Sequence, residues 1–286
     1  MDVRFNILDK YITKFIVVES LYSHKGEKKK INFDINLYSK FKDKIEHVII
    51  EKEPDNLFEK DEKNRDNVER SNSIIRIEAQ RNEALKACQD ANEEDYIFYS
   101  DNDEIPNLEN LDISKIKSKI LVFEQKLFHY KFNLLNERIL WHGTKGAKKK
   151  YIKSISDLRN IKPKKYQFYR LDTCFSKYKF MSLTIIKNGG WHFTQLKSPK
   201  DLYEKFKNDE NHMEFENLNI NINKIKSMID SKTIEYDHLS DSKSNIKHGH
   251  NFKLKSADID LNMPNYLVKN LDKYKDWFDF DYKKNN

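Results

Sequence analysis

Two short stretches of this chain carry side chains that could do chemistry. The first is YIFYSDNDEIP, Tyr96 to Pro106, in which four large β-prone residues run straight into Asp101, Asp103 and Glu104. Carboxylates gathered at the end of a strand repel one another, so a cation is expected beside them. In extended backbone, residues two apart point to one side, and Asp101 and Asp103 can then reach the same ion. One or two carboxylates completed by phosphate oxygens are how Mg²⁺ or Mn²⁺ is usually held. Taken alone, the plainer reading of such a tripeptide is an acidic turn.

The second stretch is GGWH, Gly189 to His192. Consecutive glycines permit backbone approaches that a side chain would forbid. Trp191 offers a flat apolar face on which a sugar could stack, and His192 could ligate a metal or donate to a phosphate. A turn, a core tryptophan and a satisfied histidine are the structural readings of the same four residues. His248-Gly249-His250, in a polar segment, reads as a solvated loop rather than a metal site.

The surrounding pattern says which elements must position these groups. Phe15 to Ser20 (FIVVES) and the HVIIEKE run from His47 are short apolar strands, and residues 64–89 carry a helical stripe through Ile74, Ile77, Leu85 and Cys88. Strand, connection, strand, helix, strand predicts an α/β fold with a mostly parallel central sheet flanked by helices. Further strands are expected over 120–132 and in pieces between Trp141 and Phe180, with helices after Ser198 and in PNYLVKNLDKYKDWF. In open α/β sheets ligands bind beyond the carboxyl ends of strands. Glu19 at the first strand's end and Asp101 at the third's are therefore expected in one crevice.

The 286 residues suffice for one large domain, with no internal repeat or clear linker. We expect a nucleotide-binding half over 1–135 and an acceptor or closing half over 136–286. Apolar runs such as Phe15–Val18 are far shorter than a membrane span needs, and MDVRFNILDKY lacks the parts of a signal peptide. A soluble, cytoplasmic protein is the expectation. Cys88 and Cys174 make neither a disulfide framework nor a metal spacing. Lysine and arginine number 53 against 46 acids, a net charge of +7 that a solvated lysine-rich surface accounts for. The clusters Lys28–Lys30 and Lys145–Tyr151 are candidates for contact with phosphate or with a membrane face. No RNA-binding signature, zinc finger or dominant basic helix is present, so no nucleic-acid partner is expected.

Five segments together resemble glycosyltransferase family 17. They are FIVVES followed by Gly26 and Phe33, EAQRNEAL, DYIFYSDNDEIP, NGGWHF, and PNYLVKN near the end. The order matches the family and the segments span most of the chain, while the region from Arg138 to Lys179 is only loosely similar. The resemblance implies a GT-A-like fold, a divalent Mn²⁺ or Mg²⁺, and inverting transfer of a sugar to a glycan or glycolipid acceptor. UDP-N-acetylglucosamine is the family's best-known donor. It implies Asp101 and Asp103 at the donor diphosphate with His192 beside them, Glu19 towards the nucleoside, Arg81 on a phosphate and Trp191 at the sugar. An inverting transfer also needs a base for the acceptor hydroxyl. Glu214 falls where family members carry a His-x-Glu-like segment, with Glu104 and Glu124 as rivals. A metal-dependent nucleotidyltransferase or phosphohydrolase would use the same paired carboxylates, and a nucleic-acid-binding protein is the third reading.

Overall fold

The computed structural model describes every residue except 60, 110, 168, 174, 209–211, 213, 214, 216, 217, 219, 237–248 and 281–286. Cys174, Glu214 and His248 therefore lie outside the described residues. The predicted first half is present. Helix α1 (Asp2–Leu8) precedes strand β1 (Phe15–Ser20), β2 (Ile45–Ile50) pairs with β1 in parallel, α2 (Arg65–Lys86) follows, and β3 (Tyr96–Tyr99) leads into the acidic turn. Gln80 on α2 donates to the Val18 carbonyl at 2.9 Å, which anchors the helix on β1.

The central sheet differs from the mostly parallel one expected. Its seven strands include β4 (Glu104–Pro106), β5 (Ile120–His129), β6 (Leu134–Lys148), β7 (Leu183–Ile186) and β8 (Gly190–Thr194). Only the β5–β7 and β5–β8 pairings are parallel; β3–β6, β5–β6, β4–β8 and the pairing of β6 with Lys255–Ser256 are antiparallel. The reason is local. Only residues 130–133 separate β5 from β6, far fewer than the dozen or more a parallel crossover needs. The strands fold back as a hairpin, and Tyr130 takes a left-handed φ of 62° at the reversal. The result is a mixed α/β fold in which the sheet draws strands from both halves of the chain.

An aromatic-rich core lies against this sheet, with Phe5, Phe15, Phe41, Phe123, Phe128 and Phe193 all buried. Phe5 meets the Phe15 ring edge to face at 4.9 Å, which fixes α1 against the start of β1. The predicted terminal helix is broken: Asn265–Lys269 is α-helical and Leu271–Trp277 is a 3₁₀ turn. Among the described residues no helix is long and apolar enough to cross a membrane.

The double glycine has a steric cause. Gly190 has φ +125°, and a Cβ there would sit 2.1 Å from the Ile105 carbonyl oxygen of the neighbouring strand. Only glycine lets β4 approach β8 so closely. We expect Gly190→Ala to lower stability by about 2 kcal/mol or more, seen as a lower midpoint in urea; an unchanged midpoint would contradict this reading.

Candidate active site

Strands β4 and β8 bring the two chemical stretches together. They pair antiparallel with Glu104 opposite His192 and Ile105 opposite Trp191. The Phe193 N–H donates to the Asp103 carbonyl at 2.8 Å. His192 Nε2 then lies 3.4 Å from Asp103 Oδ2. Adjacent residues of a strand face opposite sides of the sheet, so His192 and Trp191 part company here. The Trp191 indole N–H donates to the Asn262 carbonyl at 2.7 Å, and its ring packs against the aromatic core. A different indole stands at the site: Trp141 of β6 packs on the His192 ring with centroids 4.8 Å apart.

The carboxylates of the acidic turn divide. Asp101 Oδ2 accepts from Arg159 Nη2 at 2.6 Å and Oδ1 accepts from the Tyr99 hydroxyl at 2.9 Å. Arg81 approaches the same Oδ1 at 3.9 Å, as expected for a helix residue leaning into the crevice. Asp103 instead faces His192 with 24 % of its side chain exposed. Glu104 is fully buried. Its Oε1 accepts from Trp141 Nε1 at 2.7 Å and Arg159 Nη2 at 2.9 Å, and its Oε2 from the Asp101 N–H at 3.1 Å. Both oxygens of this candidate base are occupied inside the protein. Gly143 allows that burial, because a Cβ there would lie 2.4 Å from the Glu104 carboxyl carbon.

Arg159 belongs to helix α3 (Ile155–Asn160), whose placement is built at both ends. At the start, Asn82 of α2 accepts from the Ser154 hydroxyl at 2.9 Å and the Ser156 N–H at 3.1 Å. At the end, the Lys145 side-chain nitrogen from β6 donates to the carbonyls of Arg159 and Ile161, the latter at 2.6 Å. Arg159 also donates to the Gly143 carbonyl at 3.0 Å, while its Nε is buried without a hydrogen-bond partner among the described residues. From the other side Arg4 of α1 donates to the backbone carbonyls of Asp101 and Glu104. Two arginines thus grip one turn, by its side chains and by its backbone.

These surroundings set the proton affinities. Burial pushes the Glu104 carboxyl above its ordinary value. Burial acts on Asp101 too, yet Arg159 and Arg81 outweigh it and hold that carboxyl low. For Asp103, burial is overcome by the hydrogen bond and charge of His192 and by Lys205, leaving it at about 2. Lys205 lies on helix α4 (Pro199–Asn208). Lys145, desolvated and beside Arg159, is pulled down to about 7.

Among the described residues, no three His, Cys, Asp or Glu side chains form a group that could hold a metal ion. The donor set fits a divalent ion in a narrower way. Asp101 and Asp103 are both partly open, but Asp101 is engaged by Arg159 and Tyr99 whereas Asp103 has an imidazole beside it, so one carboxylate and one nitrogen remain for an ion completed by phosphate oxygens. Glu19 is drawn elsewhere, as its oxygens accept from Lys29 at 2.8 Å and from the Asn32 and Phe33 N–H groups at 2.8 and 3.0 Å. It pins the loop after β1. Glu124 is paired with Lys187 at 2.6 Å. Arg159, Arg4 and Trp141 were not singled out in the sequence, because each sits in a stretch with no motif and acts through a long-range contact; Lys145 was read there only as part of a surface cluster, whereas it is buried.

A strand end with a partly open carboxylate–imidazole pair, backed by buried guanidinium groups, suits an enzyme acting on an anionic substrate. The family model for glycosyltransferase family 17 matches residues 1–278 of the chain. The chain belongs to glycosyltransferase family 17 and is a glycosyltransferase, which settles the choice against a nucleotidyltransferase or phosphohydrolase. No curated protein and no solved structure matches it.

Two outcomes test this geometry. Arg159→Met strands the fully buried Glu104 carboxylate and removes a partner of the part-exposed Asp101, and breaking a buried pair costs about 3–5 kcal/mol; a denaturation midpoint within error of the parent would contradict the clamp. The fold favours neutral Lys145, so between pH about 7 and the ordinary lysine value of 10.5 the unfolded chain binds more protons. Stability from this group therefore rises with pH across that window and is flat below it. Subtracting the melting profile of Lys145→Met from the parent's should leave that slope, and a flat difference would show that Lys145 titrates normally.

Proposed function

We propose that the enzyme transfers N-acetylglucosamine from UDP-N-acetylglucosamine to a hydroxyl of a glycan or glycolipid acceptor, with inversion and with Mn²⁺ or Mg²⁺ at Asp103. The observation that carries this reading is the Asp103–His192 pair, 3.4 Å apart at the paired ends of β4 and β8. Family membership supports the class of reaction, and the donor is the one the family resemblance implies. Asp103 and His192 would hold the ion. When bound, it supplies positive charge for the oxygens of the departing diphosphate.

The chain's own residues do the rest. His192, fixed between the Asp103 carboxylate and the Trp141 ring, holds its imidazole at the leaving group. Arg81 and Lys205 add positive charge for the donor phosphates without closing on them in advance. Asp101 and Glu104 act as anchors: their charges fix Arg159, and so the turn that aims Asp103. Glu104 is too enclosed to meet an acceptor hydroxyl. Glu214, placed by the family resemblance alone, is the proposed base. Trp141, rather than Trp191, is the indole beside this site.

Asp103→Asn should abolish transfer while leaving the fold intact, because asparagine keeps the side chain's shape and only one partly open pairing with His192 is lost. His192→Ala should lower kcat by about 10²-fold, the scale seen when one stabiliser of developing charge is removed. A donor panel assayed by sugar transfer, with and without chelator, checks both. Full activity of Asp103→Asn, or full activity in excess chelator, would overturn the metal assignment.

A further inference from the structure

Between α3 and β7 the chain makes an excursion over residues 162–182 that the catalytic geometry does not use. In sequence it holds six lysines and arginines against a single acid, Asp172, a net of +5, together with six aromatic residues. Several of its apolar side chains face outward: Phe175 is 92 % exposed, Leu171 72 % and Tyr169 65 %, with Tyr178 and Met181 also open, while Phe180 packs inward on the core. Lys164, Lys165 and Lys177 are exposed among them. Leaving such groups in water forgoes their burial, and several large exposed apolar side chains within one short loop point to a contact surface.

The excursion is a built element. Its ends are tied by the Lys162 N–H donating to the Tyr178 carbonyl at 2.8 Å. Asp172 gathers Arg170 at 2.8 Å and Lys179 at 2.7 Å. That spends the only negative charge internally and leaves the outer rim basic. The lysine cluster singled out in the sequence behaves differently. Lys145 is buried, Lys148 and Lys150 are paired with Glu94, and Lys149 donates to the carbonyls of Gln89 and Ala91. Those charges are already answered within the protein.

We propose that the 162–182 loop docks on an anionic lipid bilayer, with Phe175, Leu171 and Tyr169 entering the interface and Lys164, Lys165 and Lys177 on the headgroups. Charge complementarity selects this occupant. Anionic lipid attracts a basic rim, and aromatic rings with Leu and Met beside them suit the boundary between headgroup and acyl chain. A neutral glycan would leave the positive charge unanswered, and a nucleic acid would leave Leu171 and Met181 in water. The loop begins three residues after Arg159, so docking would set the active site close to the membrane surface.

The test needs neither donor nor acceptor, so it stands apart from the sugar-transfer reading. Co-sedimentation is measured with phosphatidylcholine vesicles, with and without phosphatidylserine, at low and high salt. Binding should require phosphatidylserine and weaken with salt, and Lys164→Glu with Lys165→Glu should weaken it tenfold or more, since each basic residue near such a surface contributes about fivefold. Both positions are exposed, so the fold should persist, which a melting curve verifies. Phe175→Trp supplies a probe whose emission, after subtraction of the parent's, should shift blue on the vesicles and be quenched by brominated acyl chains. Absence of binding, equal binding to neutral vesicles, binding undiminished by the double charge reversal, or an unshifted Phe175→Trp emission would each overturn the proposal.

Discussion

The site depends on one buried ion cluster. A single nitrogen of Arg159 bridges Asp101 and Glu104, and Glu104 is entirely closed to solvent. Burying carboxylates is costly unless a partner and hydrogen bonds answer every oxygen. Here each Glu104 oxygen and each Asp101 oxygen has a donor, supplied by Arg159, Trp141, Tyr99 and one backbone N–H. With those two charges answered by a guanidinium, Asp103, 24 % exposed, is the carboxylate of the turn that faces an imidazole instead, while Asp101 is 34 % exposed beside its arginine. The repulsion expected among three acids is thus resolved asymmetrically, two on a guanidinium and one beside an imidazole.

The rest of the architecture supports that division. Asn82 fixes the start of α3 and Lys145 its end, which places Arg159. Gly143 makes room for the Glu104 carboxyl, and Gly190 lets β4 lie close enough to β8 for His192 to reach Asp103. Arg4 holds the backbone of the turn. Helix α2 serves twice, since Arg81 leans towards Asp101 while its neighbour Asn82 anchors α3. Small residues and buried cations far apart in sequence converge on one turn.

How much of this was legible in the sequence follows from the range of each interaction. Strands β1 and β3 and helix α2 were legible because apolar runs and a 3.6-residue stripe are local signals, and Phe15–Ser20 was read with its observed bounds. That His192 lies beside Asp103 was implied by the family resemblance rather than by either motif alone. Sheet direction was not legible, because the hairpin of β5 and β6 is decided by a connection of four residues, 130–133, inside a stretch that reads as strand throughout. Trp191 was misplaced by motif reading, which registers a residue's type but not the face its strand parity assigns. Glu104 was read as a candidate base, since nothing adjacent announces Arg159, which lies 55 residues away.

The central claim is that Asp103, and not Asp101, presents the carboxylate to an ion shared with the donor diphosphate. Electron paramagnetic resonance of Mn²⁺ with the protein and UDP tests it directly. UDP-dependent immobilisation of Mn²⁺ should be seen in the parent and in a folded Glu19→Gln control, and lost in Asp103→Asn. Undiminished UDP-dependent Mn²⁺ binding by Asp103→Asn would contradict the account.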